Sequence, residues 1–306
     1  LTTGKDFPED IVPPLVTMLA DAEREIRMTT ATQLRRFAEH AKLVAPALVT
    51  SLRDQEDLVR AEAAKSLAYF KEDAALSIPG LIKALREEDD NYVKECMVRT
   101  LALFGPDAKE AVPVLLDIIR KDASFNMALA ALGRIGADAK DAAPVLVEVL
   151  KKDGSNKNVQ DALGGIGADV APMVVKLLAD EKVATRLGAA AVLGKIGAAS
   201  NAGEALEARL KDDDPSVRIA AAFAHFQVTG NAKPALKTLT EAAKKGERKL
   251  RLQALKNLKD MGAEAADAVP MLVTLLSDPD AMIRRQVEDS LQMIDPDALA
   301  RAKAAM

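Results

Sequence analysis

The sequence predicts an all-α fold, a right-handed α-solenoid of about nine two-helix repeats. Two recurring phrases and a helix-forming composition predict it. The first phrase is a proline, a leucine two residues on and another aliphatic residue six on. It reads in full at Pro46-Leu48-Leu52, Pro79-Leu81-Leu85, Pro113-Leu115-Ile119, Pro144-Leu146-Leu150 and Pro270-Leu272-Leu276. Degenerate copies begin at Pro13, Pro172 and Pro234, and Glu204 fills the proline slot once more. Successive spacings are 33, 33, 34, 31, 28, 32, 30 and 36 residues, so the phrase tiles nearly the whole chain. A proline in the opening turn of a helix removes only an N–H that has no intrahelical partner, which makes each phrase the start of a first helix.

The second phrase supplies the other helix of each pair. With Val59 as slot zero, Ala63 is plus four, Leu67 plus eight and Phe70 plus eleven. The same slots hold Ile26, Thr30, Leu34 and Phe37; Val93, Met97, Leu101 and Phe104; Leu250, Ala254, Leu258 and Met261; and Ile283, Val287, Leu291 and Ile294. At about 100° per residue these offsets fall on one side of a helix, so each second helix has one apolar face. Short polar turns such as Asp54-Gln-Glu-Asp57 and Asp212-Asp-Asp-Pro215 join the two helices, with acidic residues suited to capping the second. Gly105, Gly136, Gly167, Gly197, Gly230 and Gly262 stand where a helix C-terminus is expected to end on glycine.

A proline-led first helix, an Asp in the turn and a second helix that opens Val-Arg and closes Leu-x-x-Ile-Gly together resemble HEAT repeats, of the short kind also found in phycobilin lyase subunits. The resemblance covers about residues 10–296. It implies a solenoid whose second helices line a concave face. Residues 1–9 then form a lead-in and 297–306 a cap, and 1–306 reads as one continuous domain whose softest points are 153–158 and 244–249. In the fourth and fifth repeats slot zero is Ser124 and Ser155, after a shortened turn, and the second helices there are expected to start late.

Aromatics make up 3% of the chain and Trp is absent, as suits thin layers that touch only their neighbours. The net charge of −4, from 42 basic and 46 acidic residues, gives no reason to expect nucleic acid or an anionic membrane. No apolar stretch approaches the ~20 residues that span a bilayer. A single cysteine, Cys96, allows no internal disulfide and reads as a small buried hydrophobe. The chain opens Leu1-Thr-Thr-Gly-Lys5 without Met, the expectation for a fragment or a processed form. Localisation is left open between cytoplasm and a secreted or periplasmic mature form.

A ladder of charges runs through the repeats. Slot plus one holds Arg27, Arg60, Lys94, Arg186, Arg218, Arg251 and Arg284, and five residues before slot zero stand Asp21, Asp54, Glu88, Asp180, Asp212 and Asp278. Because an acid accompanies the base in nearly every repeat, a stacked structural ladder is expected in preference to a phosphate-binding stripe. Exposed pairs would contribute only ~0–1 kcal/mol each.

Catalytic chemistry finds little support, so no enzyme activity, metal or cofactor is expected. The only histidines, His40 and His225, lack partners at metal-ligand spacing; His225 reads as a satisfied, partly buried residue and His40 as an exposed loop residue. The Gly164-Gly165-x-Gly167 run resembles part of a phosphate loop, but no strand precedes it and Gly133, Gly194 and Gly197 recur in the same slots.

What remains is surface. By the helical angles, slots plus two, six, nine and ten point away from the core. In the first four repeats they include Arg35, Arg36, Lys65, Tyr69, Arg99, Leu103 and Arg134, a mildly basic wall with Tyr69 and Leu103 as its apolar members. In the fourth to sixth they are small: Ala130, Gly133, Gly164, Gly165, Ala191 and Gly194. In the seventh, Ile219, Phe223 and Phe226 occupy plus two, six and nine, flanked by Leu187 and Leu252. These five form an exposed apolar patch that binds a partner or, if the seventh repeat's second helix is rotated, Ile219, Phe223 and Phe226 are its core stripe. The expected function is a non-catalytic scaffold that binds a protein or peptide through its concave face. The rivals are a lyase-associated subunit similar to phycobilin lyase proteins, and a nucleic-acid binder similar to HEAT-like DNA glycosylases.

Overall fold

The computed structural model describes residues 9–122 and 125–305, which form helices and turns with no strand among them. Nine helix pairs follow one another: α1 (Val12–Thr17) with α2 (Arg24–Leu34), α3 (Ala41–Ser51) with α4 (Asp57–Leu67), and α5 (Ala74–Glu87) with α6 (Asn91–Phe104). Then come α7 (Val112–Lys121) with α8 (Asn126–Ile135), α9 (Ala143–Lys152) with α10 (Lys157–Ile166), and α11 (Ala171–Leu177) with α12 (Val183–Ile196). The last pairs are α13 (Gly203–Ala208) with α14 (Pro215–Thr229), α15 (Ala232–Lys245) with α16 (Arg248–Met261), and α17 (Val269–Leu275) with α18 (Ala281–Ile294). A single helix, α19 (Pro296–Ala305), closes the series and packs on α17 and α18. The chain is an all-α solenoid of two-helix repeats.

Contacts divide the chain into two compact units, residues 1–146 with 161–169, and residues 147–160 with 170–306. In the first unit, α2, α4, α6 and α8 stack in sequence as one layer, and α1, α3, α5 and α7 as the other. In the second, α12, α14, α16 and α18 form the stack of second helices.

The plus-eight slot runs through the middle of both cores. Leu34, Leu67, Leu101, Leu132 and Leu163 are buried in the first unit, and Leu193, His225, Leu258 and Leu291 in the second. Each leucine so buried stabilises its layer by roughly 1.5–3 kcal/mol. The phrase leucines Leu48, Leu81, Leu115, Leu146 and Leu272 are buried from the first-helix side. Where the second helix ends, all six expected glycines have positive φ. At Gly105, φ 61° and ψ −131° lie in a region that only glycine enters without strain.

Two expectations about helix starts have different outcomes. The second helices α8 and α10 begin two residues after the slot-zero position, whereas α4, α6 and α14 begin two residues before it, so the late start holds; Ser124 itself lies outside the described residues. The proline rule holds at Pro13, Pro113, Pro172 and Pro270, in the first turns of α1, α7, α11 and α17. It fails in the second and third repeats, where Pro46 and Pro79 lie inside α3 and α5. Both prolines, and the residues Lys42 and Ala75 whose carbonyls lose a donor, are exposed, so water can take the missing bond.

Candidate protein-binding face

Six second helices carry an arginine at slot plus one that anchors them. Five of these arginines donate Nη1 to two carbonyls of their own turn, as Arg60 does to Asp54 O at 2.9 Å and Gln55 O at 3.2 Å and Arg186 to Asp180 O at 3.0 Å and Glu181 O at 3.1 Å, while Arg251 donates its Nε to Ala243 O at 2.7 Å. The rest of the guanidinium reaches the turn acid of the following repeat. Arg27 donates to both oxygens of Asp54 at 2.6 and 2.8 Å, Arg60 to both of Glu88 at 2.8 and 2.9 Å, Arg186 to Asp212 at 2.8 Å, and Arg251 to Asp278. The ladder is therefore structural, but its pairs are not the exposed ones expected. The Arg60 and Glu88 side chains are 18% and 5% exposed, because each carboxylate sits between two stacked turns. These acids also accept backbone N–H groups, as Glu88 does from Asp89 and Asp90 and Asp54 from Glu56. Burial pushes the Asp54, Glu88 and Asp212 carboxyls up, but the arginine and backbone hydrogen bonds outweigh it and hold all three below their ordinary range.

A second set of ties lies at slot plus seven. Thr100 Oγ1 donates to Ala64 O at 2.7 Å, and Ser290 Oγ to Leu255 O at 3.1 Å, both buried and both joining one second helix to the one before it. The apolar pattern carries no signal for these polar ties. The close spacing also explains the small residues of the middle repeats. A Cβ at Gly165 would lie 2.4 Å from Gly133 O, and one at Gly194 3.2 Å from Ala224 Cα. The glycines let neighbouring helix backbones approach and do not widen an open wall.

With the stack so fixed, slot plus ten is the most open column, although Arg36 there is half-buried and Gly165 lies against the Gly133 backbone. In the first unit it holds Tyr69, 56% exposed, Leu103, 41% exposed, and Arg134; in the second, Lys195, Gln227, Asp260 and Met293. Around the two apolar residues the first unit gathers aromatic and basic groups. The Arg35 guanidinium lies 5.5 Å from the centre of the Tyr69 ring, and Lys65 Nζ 5.6 Å from that of Tyr92, donating to Tyr92 Oη at 3.2 Å. Lys65 also pairs with Glu62, and Arg99 with Glu95 at 2.7 Å. Burial pushes the Lys65 ammonium down, yet its bonds to Glu62 and Tyr92 more than offset this and leave it raised. Tyr92, 51% exposed, was not among the expected residues: it sits one position before slot zero, outside the slots that mark the outward side.

The expected patch in the seventh repeat is not exposed. Ile219 is 1% exposed and belongs to the core of the second unit, with Ala254, Leu258 and Met261 of α16. Phe223, Phe226 and Leu252 are half-buried against that core, and Leu187 is half-buried on α12. Rotation of α14 is not the cause, for Val217, Ala221 and Val228 remain buried in their expected slots. Slot plus two faces the next second helix, as the buried Ala61 also shows, and slot plus nine lies where the helices crowd. His225 is buried, with Thr229 Oγ1 3.5 Å from its Nδ1, and His40 is half-buried in a turn, more covered than expected. Cys96 is buried, and burial pushes its thiol up. Among the described residues no three His, Cys, Asp or Glu side chains gather as a metal site, and no helix is long and apolar enough to cross a membrane.

Among proteins of known sequence family, the HEAT-repeat family model matches residues 78–162 and 156–224. No curated protein matches the sequence. Similar solved structures include the karyopherin Kap121p bound to Pho4p, with a TM-score of 0.62 at 13% identity over 95% of this chain and 38% of that one. Kap121p bound to the extreme C-terminus of the protein phosphatase Cdc14p gives 0.60 over the same shares at 13% identity. Kap95p, in a structure describing its effect on the switch loops of RanGDP, gives 0.59 at 13% identity over 97% of this chain and 49% of that one. The chain thus spans less than half the length of each of these proteins, and the likeness is one of fold. Together with the ladder, the C-terminal glycines and the paired helices, the match identifies residues 78–224 as HEAT repeats, in a chain whose flanking pairs follow the same pattern.

Proposed function

We propose that the chain is a non-catalytic scaffold, one continuous domain along which a protein or peptide partner is bound on the concave face made by the second helices. The observation that carries this reading is the exposure of Tyr69, Tyr92 and Leu103 on neighbouring helices of the first unit, with Arg35 over the Tyr69 ring and Lys65 over that of Tyr92. Tyrosine and arginine are the side chains that most often dominate binding energy at interfaces, because they offer large rigid area together with polar ends. Two of the structures with a similar fold are complexes with proteins, which agrees with such a role. A partner segment with apolar and acidic residues fits this surface. Affinity capture of the chain from its own cells, with Tyr69→Ser/Leu103→Ser captured in parallel, tests the reading. A specific partner is expected with the parent chain and is expected to be lost, or weakened at least tenfold, with the variant. Equal recovery by both chains would contradict the assignment of this face.

A further inference from the structure

The charge ladder leaves the rung after Arg218 vacant, although a further turn follows it. Arg218 is anchored like its counterparts, donating Nη1 to Asp212 O at 2.6 Å and Asp213 O at 3.0 Å. Its Nε and Nη2 are the groups that in Arg27 and Arg60 make a two-point bond to the next turn's acid. Here they have no acceptor among the described residues. The reason is in the sequence: the position that holds Asp54, Glu88, Asp212 or Asp278 elsewhere holds Lys245, and a base faces a base. Lys245 makes no ion pair either, and Glu241, one turn earlier on α15, pairs with neither cation. Between them opens a cleft of about 310 Å³ at the turn edge of the second unit, with Leu210, Pro215, Ile219 and Leu250 as its apolar walls.

We propose that this cleft binds a carboxylate side chain of another polypeptide, an Asp or Glu next to an aliphatic residue, which completes the rung from outside. The filled rungs show that the fork of an arginine held in this way takes a planar carboxylate at two points. Glu241 also lines the cleft but pairs with neither cation, so the two positive charges leave a net attraction for a negative group, and the apolar walls suit the residue beside it. The site lies on the edge made by the turns between paired helices, so it stands independently of the face carrying Tyr69.

The experiment follows the Arg218 side-chain N–H resonance by NMR while N-acetyl-Leu-Asp-Leu-amide is added, with the Asn-containing peptide and inorganic phosphate as comparison probes. A saturable shift is expected with the Asp peptide, at least tenfold weaker binding of the Asn peptide, and loss of binding in Arg218→Gln. Lys245→Asp supplies the missing acid from within, so it is expected to raise the melting temperature and abolish peptide binding. No shift in the parent chain, equal binding of the Asn peptide, tighter binding of phosphate, or undiminished binding by Lys245→Asp would each overturn the proposal.

Discussion

The apolar side chains at plus ten in the first unit and those at plus two, six and nine in the seventh repeat, part of the second unit, all occupy outward slots, with opposite results. In the first unit Tyr69 and Leu103 at plus ten stand free. In the second, Ile219, Phe223 and Phe226 at plus two, six and nine close against the following helix. Helical angles fix only the direction in which a side chain leaves its own axis. Whether that direction leads to solvent depends on the neighbouring helix, which in a solenoid lies on both sides of every layer. Ile219 at plus two and Phe226 at plus nine thus lie between helices, whereas Tyr69 and Leu103 at plus ten clear them.

The largest expected effect comes from removing the packed aromatics. Two half-buried phenylalanines contribute roughly 1.5–3 kcal/mol each. Phe223→Ser/Phe226→Ser is therefore expected to lower the melting temperature by more than about 8 °C, while Tyr69→Ser/Leu103→Ser changes it by less than about 2 °C. Similar losses in both double variants, read by circular dichroism melts, would erase the distinction between the units.

A smaller effect is expected on acidification. The carboxyls of Asp54, Glu88 and Asp212 are held down in the folded chain, as is that of Asp278 by Arg251 and the Asp280 N–H. Because the folded values lie below the unfolded ones, their contribution is complete above about pH 4–5 and is lost as pH falls through the folded values. Melts of the parent chain are expected to worsen progressively below pH 4, and Glu88→Gln to show less of that dependence. An unchanged pH profile in Glu88→Gln would count against the ladder as a source of acid sensitivity.

Much of the architecture was legible because repetition averages out local ambiguity: nine copies of one apolar pattern identify the plus-eight core column even where His225 interrupts it. The six glycines were legible for a conformational reason, each standing at a positive φ that glycine enters most readily. The candidate face was half legible. Tyr69 and Leu103 fall in an exposed slot, but Tyr92 lies outside any slot of the pattern, and the burial of Ile219 is set by α16, which one helix's periodicity does not encode. The partial burial of the ladder pairs was likewise invisible, since sequence spacing brings acid and base together without saying how closely the turns stack.

The chain has two tyrosines and no tryptophan, and both tyrosines lie on the proposed face, so its intrinsic fluorescence reports that face alone. Acrylamide quenching of this emission, with and without the captured partner, tests the binding face most directly. Ready quenching is expected in the free chain and clear protection in the complex. Tyrosines already shielded in the free chain, or quenched equally after partner binding, would contradict that binding role.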